Sequence, residues 1–110
     1  MKTKLTKNQI KTKLKALGSD WVLNTPGTNI SRKFTFKNYF TGFMFVTKVS
    51  VHAEAACHHP EVLLTYPFVK ITLTTHALSG LTAEDFSLAE KFNSLYTLST
   101  VKVKSAHNHY

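Results

Sequence analysis

Between Ile30 and Lys37 the side chains alternate: Ile30, Arg32, Phe34 and Phe36 fall on one side, and Ser31, Lys33, Thr35 and Lys37 on the other. A period of two marks a strand with one face turned to a core. The alternation returns at Val69, Ile71, Leu73 and Thr75 against Lys70, Thr72 and Thr74. Val62 to Tyr66 reads as another strand segment, set off by a bend at Pro67. Trp21, Val22 and Leu23 begin an extended stretch that turns at Pro26-Gly27 and forms a hairpin with the Ile30 strand.

Helical periods separate these strand pairs. Ile10, Leu14 and Leu17 recur at spacings of four and three, behind Thr6 as N-cap and ahead of Gly18 as a stop. Asn38 caps a second helix. Its apolar face is expected at Phe40, Phe43, Met44, Thr47 and Val51, laid on the sheet, with Phe45 and Val49 on the opposite side, a pattern that allows burial on both. This helix should run through Ala53, Ala55 and Ala56 until Pro60 forces a stop. Thr82-Ala83-Glu84-Asp85 has the spacing of a capping box, with Asp in the place more often held by Glu or Gln. The third helix should bury Phe86, Ala89, Phe92 and Leu95 or Leu98, and the polar tail from Ser99 onward is expected to be loose at its end. The order α-β-β-α-β-β-α predicts an α+β two-layer sandwich, a four-stranded antiparallel sheet with three helices on one face. A chain of 110 residues fits one domain, 1–110.

Charge narrows the picture. Fourteen Lys and Arg oppose six Asp and Glu, a formal net charge of +8 that would attract polyanions. Six of the fourteen are Lys2, Lys4, Lys7, Lys11, Lys13 and Lys15, and no acid precedes Asp20. No aromatic residue interleaves with these lysines as a stacking surface requires, so they read as a solvated helix face and nucleic-acid binding is not expected. The lone Cys57 allows no disulfide within the chain, which suits a reducing compartment. No apolar run approaches a membrane span and no secretory signal is visible, so the expectation is a soluble cytoplasmic protein.

The candidate chemistry is a set of titratable groups placed where elements end. Glu54 and His58 are four apart and would share a helix face if the helix extends that far. His59 and Pro60 follow. His76 ends a strand, and Asp85 begins the third helix. Strand ends and helix starts can meet along one edge of such a sandwich, which would gather His58, His59 and His76 with two carboxylates in one cleft. Imidazole has an unperturbed pKa near 6.5, so such a cleft can protonate one atom of a substrate and deprotonate another. General acid–base work of this kind contributes on the order of 10²–10⁴ in rate per well-placed group. His52, His107 and His109 lack comparable company. Adjacent histidines chelate one ion poorly and no usual ligand spacing occurs, so no metal is expected. Phosphate-binding glycine loops and nucleophile-elbow motifs are absent from the sequence.

Taken together, Glu54, His58-His59-Pro60, Tyr66, His76 and Asp85 at their spacings resemble the signature of the pterin-4a-carbinolamine dehydratase family. The segments RKFTFKNYFTGFMFVTKV, AEAACHHPE and VKITLTTHALSGLTAEDFSLA carry the likeness, which covers about 14–95. The resemblance implies loss of water from 4a-hydroxytetrahydropterin to give quinonoid dihydropterin, in recycling of the pterin used by aromatic amino-acid hydroxylases. By the same resemblance His58 and His76 are the acid–base candidates and His59 binds and orients the pterin. Glu54, Pro60, Thr75, Ala77, Leu78 and Asp85 support or contact it, with no cofactor. The family's fold, four antiparallel strands and three helices, matches the order read above. Its members form homodimers or homotetramers, for which Phe45 and Val49 of the second helix are candidates. Some animal members also serve as dimerisation cofactors of a transcription factor, which leaves a non-catalytic binding module as the alternative.

Overall fold

The computed structural model describes residues 2–100. Helix α1 spans Lys7–Leu17 and opens on a reciprocal cap. The Thr6 hydroxyl accepts from the Gln9 amide at 3.2 Å, and the Gln9 side-chain oxygen accepts from the Thr6 amide at 2.8 Å. Its stripe is as expected, with Ile10 buried and Leu14 and Leu17 half-buried. Gly18, at φ 109°, ends it in a conformation that side chains with a Cβ rarely adopt.

Strands β1 (Val22–Leu23), β2 (Ile30–Thr35), β3 (Glu61–Leu64) and β4 (Phe68–Leu73) form one antiparallel sheet in the order β1-β2-β4-β3. The centre is the β2–β4 pair, in register from Ile30↔Leu73 to Thr35↔Phe68. The period of two decides which side is covered: Ile30, Phe34, Val69, Ile71 and Leu73 are fully buried, whereas Lys33 and Lys70 face each other on the opposite side. Arg32 lies among the buried positions, as the alternation predicts. Its guanidinium rests 4.4 Å over Phe34 and 5.0 Å over Tyr96, and its Nη1 donates to Asn93 Oδ1 at 2.6 Å. The same oxygen accepts from Trp21 Nε1 at 2.8 Å, so one amide ties β2 and the start of β1 to the third helix.

Helix α2 (Tyr39–Ala56) is capped by Asn38, whose Oδ1 accepts from the Thr41 amide at 2.8 Å. Its orientation is the reverse of that expected from the apolar count. Gly42, Phe45, Val49 and Ala53 form the buried face. Phe40, Phe43, Met44 and Val51 point outward, with Phe40 68% and Val51 62% exposed. Small residues explain the choice: a Cβ at Gly42 would stand 3.4 Å from Val69 and 3.5 Å from Phe36, so the helix approaches the sheet closely on that side. Phe45 fills the space beyond, 4.8 Å from Phe34 and 5.3 Å from Phe36 between ring centres. Phe45 and Val49 are therefore core residues and are not available for assembly.

Helix α3 (Ala83–Thr100) buries Phe86, Leu88, Ala89 and Phe92, with Leu95 and Tyr96 half-buried. Leu98 is exposed, so of the two leucines Leu95 is the one that packs. The helix continues through Ser99. The rest of the polar tail, with His107 and His109, lies outside the described residues.

Candidate functional site

The end of α2 shapes the site. The helix stops at Ala56, four residues before Pro60, because Cys57 takes a left-handed conformation at φ 50°. The His58 amide then returns to the Ala53 carbonyl at 3.1 Å and the Cys57 amide to Glu54 at 3.1 Å. This double closure reverses the chain and turns the residue after the left-handed one back toward the helix. His58 is thus carried inward, where it is 6% exposed, and it leaves the helix face it would have shared with Glu54.

Asp85, fully buried in the first turn of α3, receives it. His58 Nε2 lies 2.6 Å from Asp85 Oδ1, and Oδ2 accepts from Thr75 Oγ1 at 2.7 Å and from the Thr82 amide at 2.9 Å. The last contact is the capping bond that the Thr82–Asp85 spacing predicts. The Thr75 and Thr82 hydroxyls meet at 2.9 Å, and Thr75 pairs with Gly80 across the loop, its amide donating at 2.8 Å. One carboxylate therefore joins the end of α2, the exit of β4 and the start of α3. Both oxygens of Asp85 have partners, as a buried carboxylate requires.

The two histidines that follow these anchored positions are outside. His59 comes directly after His58 and is exposed; its Nε2 lies 2.8 Å from Glu54 Oε1, so Glu54 pairs with His59. His76 comes directly after Thr75 and opens a single 3-10 turn, His76–Leu78, with Ala77 exposed and Leu78 half-buried. Pro60, next after His59, is half-buried. Of the predicted residues, the structure joins His58, Thr75 and Asp85 in one hydrogen-bonded cluster and Glu54 with His59 in an exposed pair.

Sequence reasoning did not single out Glu84. Its Oε1 is 3.0 Å from His58 Nδ1 and 3.1 Å from Lys2 Nζ. That oxygen is buried, yet neither nitrogen is aligned with it as a hydrogen-bond donor. The only signal in the sequence was its place inside the capping quartet. The segment before α1 lies over this point, the Leu5 amide donating to the Leu81 carbonyl at 2.8 Å. Among the described residues no helix is long and apolar enough to cross a membrane.

Comparison with known proteins identifies a family for the chain. Residues 3–95 match the model of the family described as "Pterin 4 alpha carbinolamine dehydratase". A Mesorhizobium japonicum protein named "Putative pterin-4-alpha-carbinolamine dehydratase" is 44% identical over 82% of this chain and 91% of its own. A Picosynechococcus protein of the same name is 40% identical over 86% of this chain and all of its own. The crystal structure of a "transcriptional coactivator/pterin dehydratase" from Brucella melitensis superposes with a TM-score of 0.80 at 34% identity, over 86% of this chain and 99% of that one. A pterin dehydratase-like protein identified as a RuBisCO assembly factor shares the fold at 18% identity, with a TM-score of 0.61 over 73% of this chain and 93% of that one.

Proposed function

The chain belongs to the pterin 4 alpha carbinolamine dehydratase family, and from that premise we propose that it removes water from 4a-hydroxytetrahydropterin to give quinonoid dihydropterin. The observation that carries the reading is the double attachment of Asp85. It holds the residue before His59 and the residue before His76, and both of those histidines are exposed.

In the reaction the C4a–O bond breaks and the hydroxyl leaves with an added proton as water. N5 gives up its proton, and its electron pair forms the C4a=N5 bond. One accessible imidazole supplies the first proton and the other accepts the second, and His59 and His76 take these roles. His58, with its ring against two carboxylates in the interior, holds the corner in place. This reading moves proton transfer from His58, expected from the resemblance, to His59. Glu54 orients the His59 ring, and the Thr75–Leu78 backbone with Pro60 offers the pterin an edge to bind. The reading involves no cofactor.

The cytoplasm is the place this chemistry fits, recycling the pterin oxidised by an aromatic amino-acid hydroxylase. The outward face of α2, with Phe40, Phe43, Met44 and Val51, serves self-assembly into a dimer or tetramer. That same face favours the second reading, a protein-binding module acting as dimerisation cofactor for a transcription factor. The test is decay of freshly generated 4a-hydroxytetrahydropterin. Acceleration above the spontaneous rate supports the dehydratase; none, with capture of such a factor, supports the module.

A further inference from the structure

We propose that Glu84 is a positioning residue for the histidine corner, acting through His58 and braced by Lys2 of the N-terminal segment. The proposal rests on the dehydratase reading for its kinetic consequence and on geometry for the rest. His58 touches Asp85 through Nε2 alone, and a single contact at one ring nitrogen is a pivot. The second contact, Glu84 Oε1 at 3.0 Å from Nδ1 though out of line for a hydrogen bond, bounds the other edge of the ring and narrows that freedom.

A carboxylate in the first turn of α3 gains a little from the helix dipole, and Glu84 has no larger evident reason of stability to be there. Its side chain is 39% exposed and its pair with Lys2 is a surface contact, a type of little stabilising value. Its Oε1 is nevertheless buried without an aligned donor. A buried acceptor left in that state is unfavourable, and such local costs gather where a geometry is held for function. Lys2 Nζ, 3.1 Å from the same oxygen, holds the carboxylate on its His58 side. The Leu5–Leu81 backbone bond keeps the N-terminal segment over the start of α3, so Lys2 approaches Glu84 from an anchored chain. A ring that swings shifts the backbone at His58 and with it His59, and small misplacements of a proton-transfer group are expensive in rate.

The experiment compares the full chain with Glu84→Ala, Glu84→Gln and Lys2→Ala. It follows dehydration kinetics, thermal stability and the ¹⁵N resonances of the histidine rings. Glu84→Ala is expected to lower kcat about tenfold with KM changed less than about twofold. The His58 Nδ1 and His59 resonances should move while the melting temperature stays within about 3 °C. Glu84→Gln, which keeps an oxygen of the same reach, should recover most of kcat. Lys2→Ala should move the same readouts in the same direction by a smaller factor. Unchanged His58 and His59 resonances in Glu84→Ala would overturn the proposal, as would unchanged kcat in an active enzyme. If the wild type shows no dehydration, the dehydratase reading fails, and the ring resonances alone still decide whether Glu84 positions His58.

Discussion

Replacing Asp85 tests the joint on which the site is built. Asp85→Ala leaves three donors without their acceptor: the His58 ring at 2.6 Å, the Thr75 hydroxyl at 2.7 Å and the Thr82 amide at 2.9 Å. Each buried polar group so stranded costs about 1–3 kcal/mol. The Thr75 hydroxyl retains Thr82 Oγ1 at 2.9 Å as a partner, so two stranded groups set the scale. The sum is about 2–6 kcal/mol, which brackets the range of about 3–5 kcal/mol for breaking a buried charged contact from one side. Asp85→Asn differs in kind. Its amide oxygen can still accept from Thr75 and Thr82, and its NH₂ can donate to His58 Nε2, leaving the ring hydrogen on Nδ1 toward Glu84. We expect about 1–2 kcal/mol for this change. Urea unfolding at fixed protein concentration, with matched m-values, measures both. An Asp85→Ala variant within 1 kcal/mol of wild type would refute the reasoning. An Asn variant as damaged as the Ala one would show that charge, rather than acceptor count, holds the corner.

Three further changes test how α2 is placed and ended. Phe45→Ala should destabilise by about 3–5 kcal/mol, because Phe45 is fully buried against Phe34 and Phe36. Phe43→Ser on the outward face should leave the unfolding of the monomer nearly unchanged while lowering the solution mass seen by light scattering. Cys57→Gly should stabilise by about 0.5–1 kcal/mol in thermal unfolding, since glycine adopts the left-handed conformation at φ 50° without a Cβ penalty. A loss of stability there would mean that the cysteine side chain makes a contact of its own.

The legible parts of the fold were those in which one local signal dominates. Thr6 and Asn38 announce helix starts because a side-chain oxygen one turn ahead satisfies a free amide. The β2 and β4 alternations allow only one buried side, so the core face of both strands followed from the pattern. Helix α2 was misread because it is apolar on both sides. Counting favoured the larger residues, while packing favoured the side where Gly42 and Ala53 permit close approach. The site residues were visible as types and spacings, but their grouping was not. Pairing Glu54 with His58 assumed a helix that continues, and the left-handed turn at Cys57 was hidden because cysteine carries no such signature. Glu84 was missed because its neighbours, Lys2 and His58, are remote in sequence and meet it only when the N-terminal segment and the α2 exit converge on α3.

The most direct test of the account is the dehydration rate of freshly generated 4a-hydroxytetrahydropterin with wild type, His59→Ala and His76→Ala, each shown to be folded. The account predicts acceleration by the wild type and a loss of about 10²-fold or more in each variant. Wild-type rates in both variants would contradict the assignment of proton transfer to His59 and His76, and no acceleration by the wild type would contradict the dehydratase reading itself.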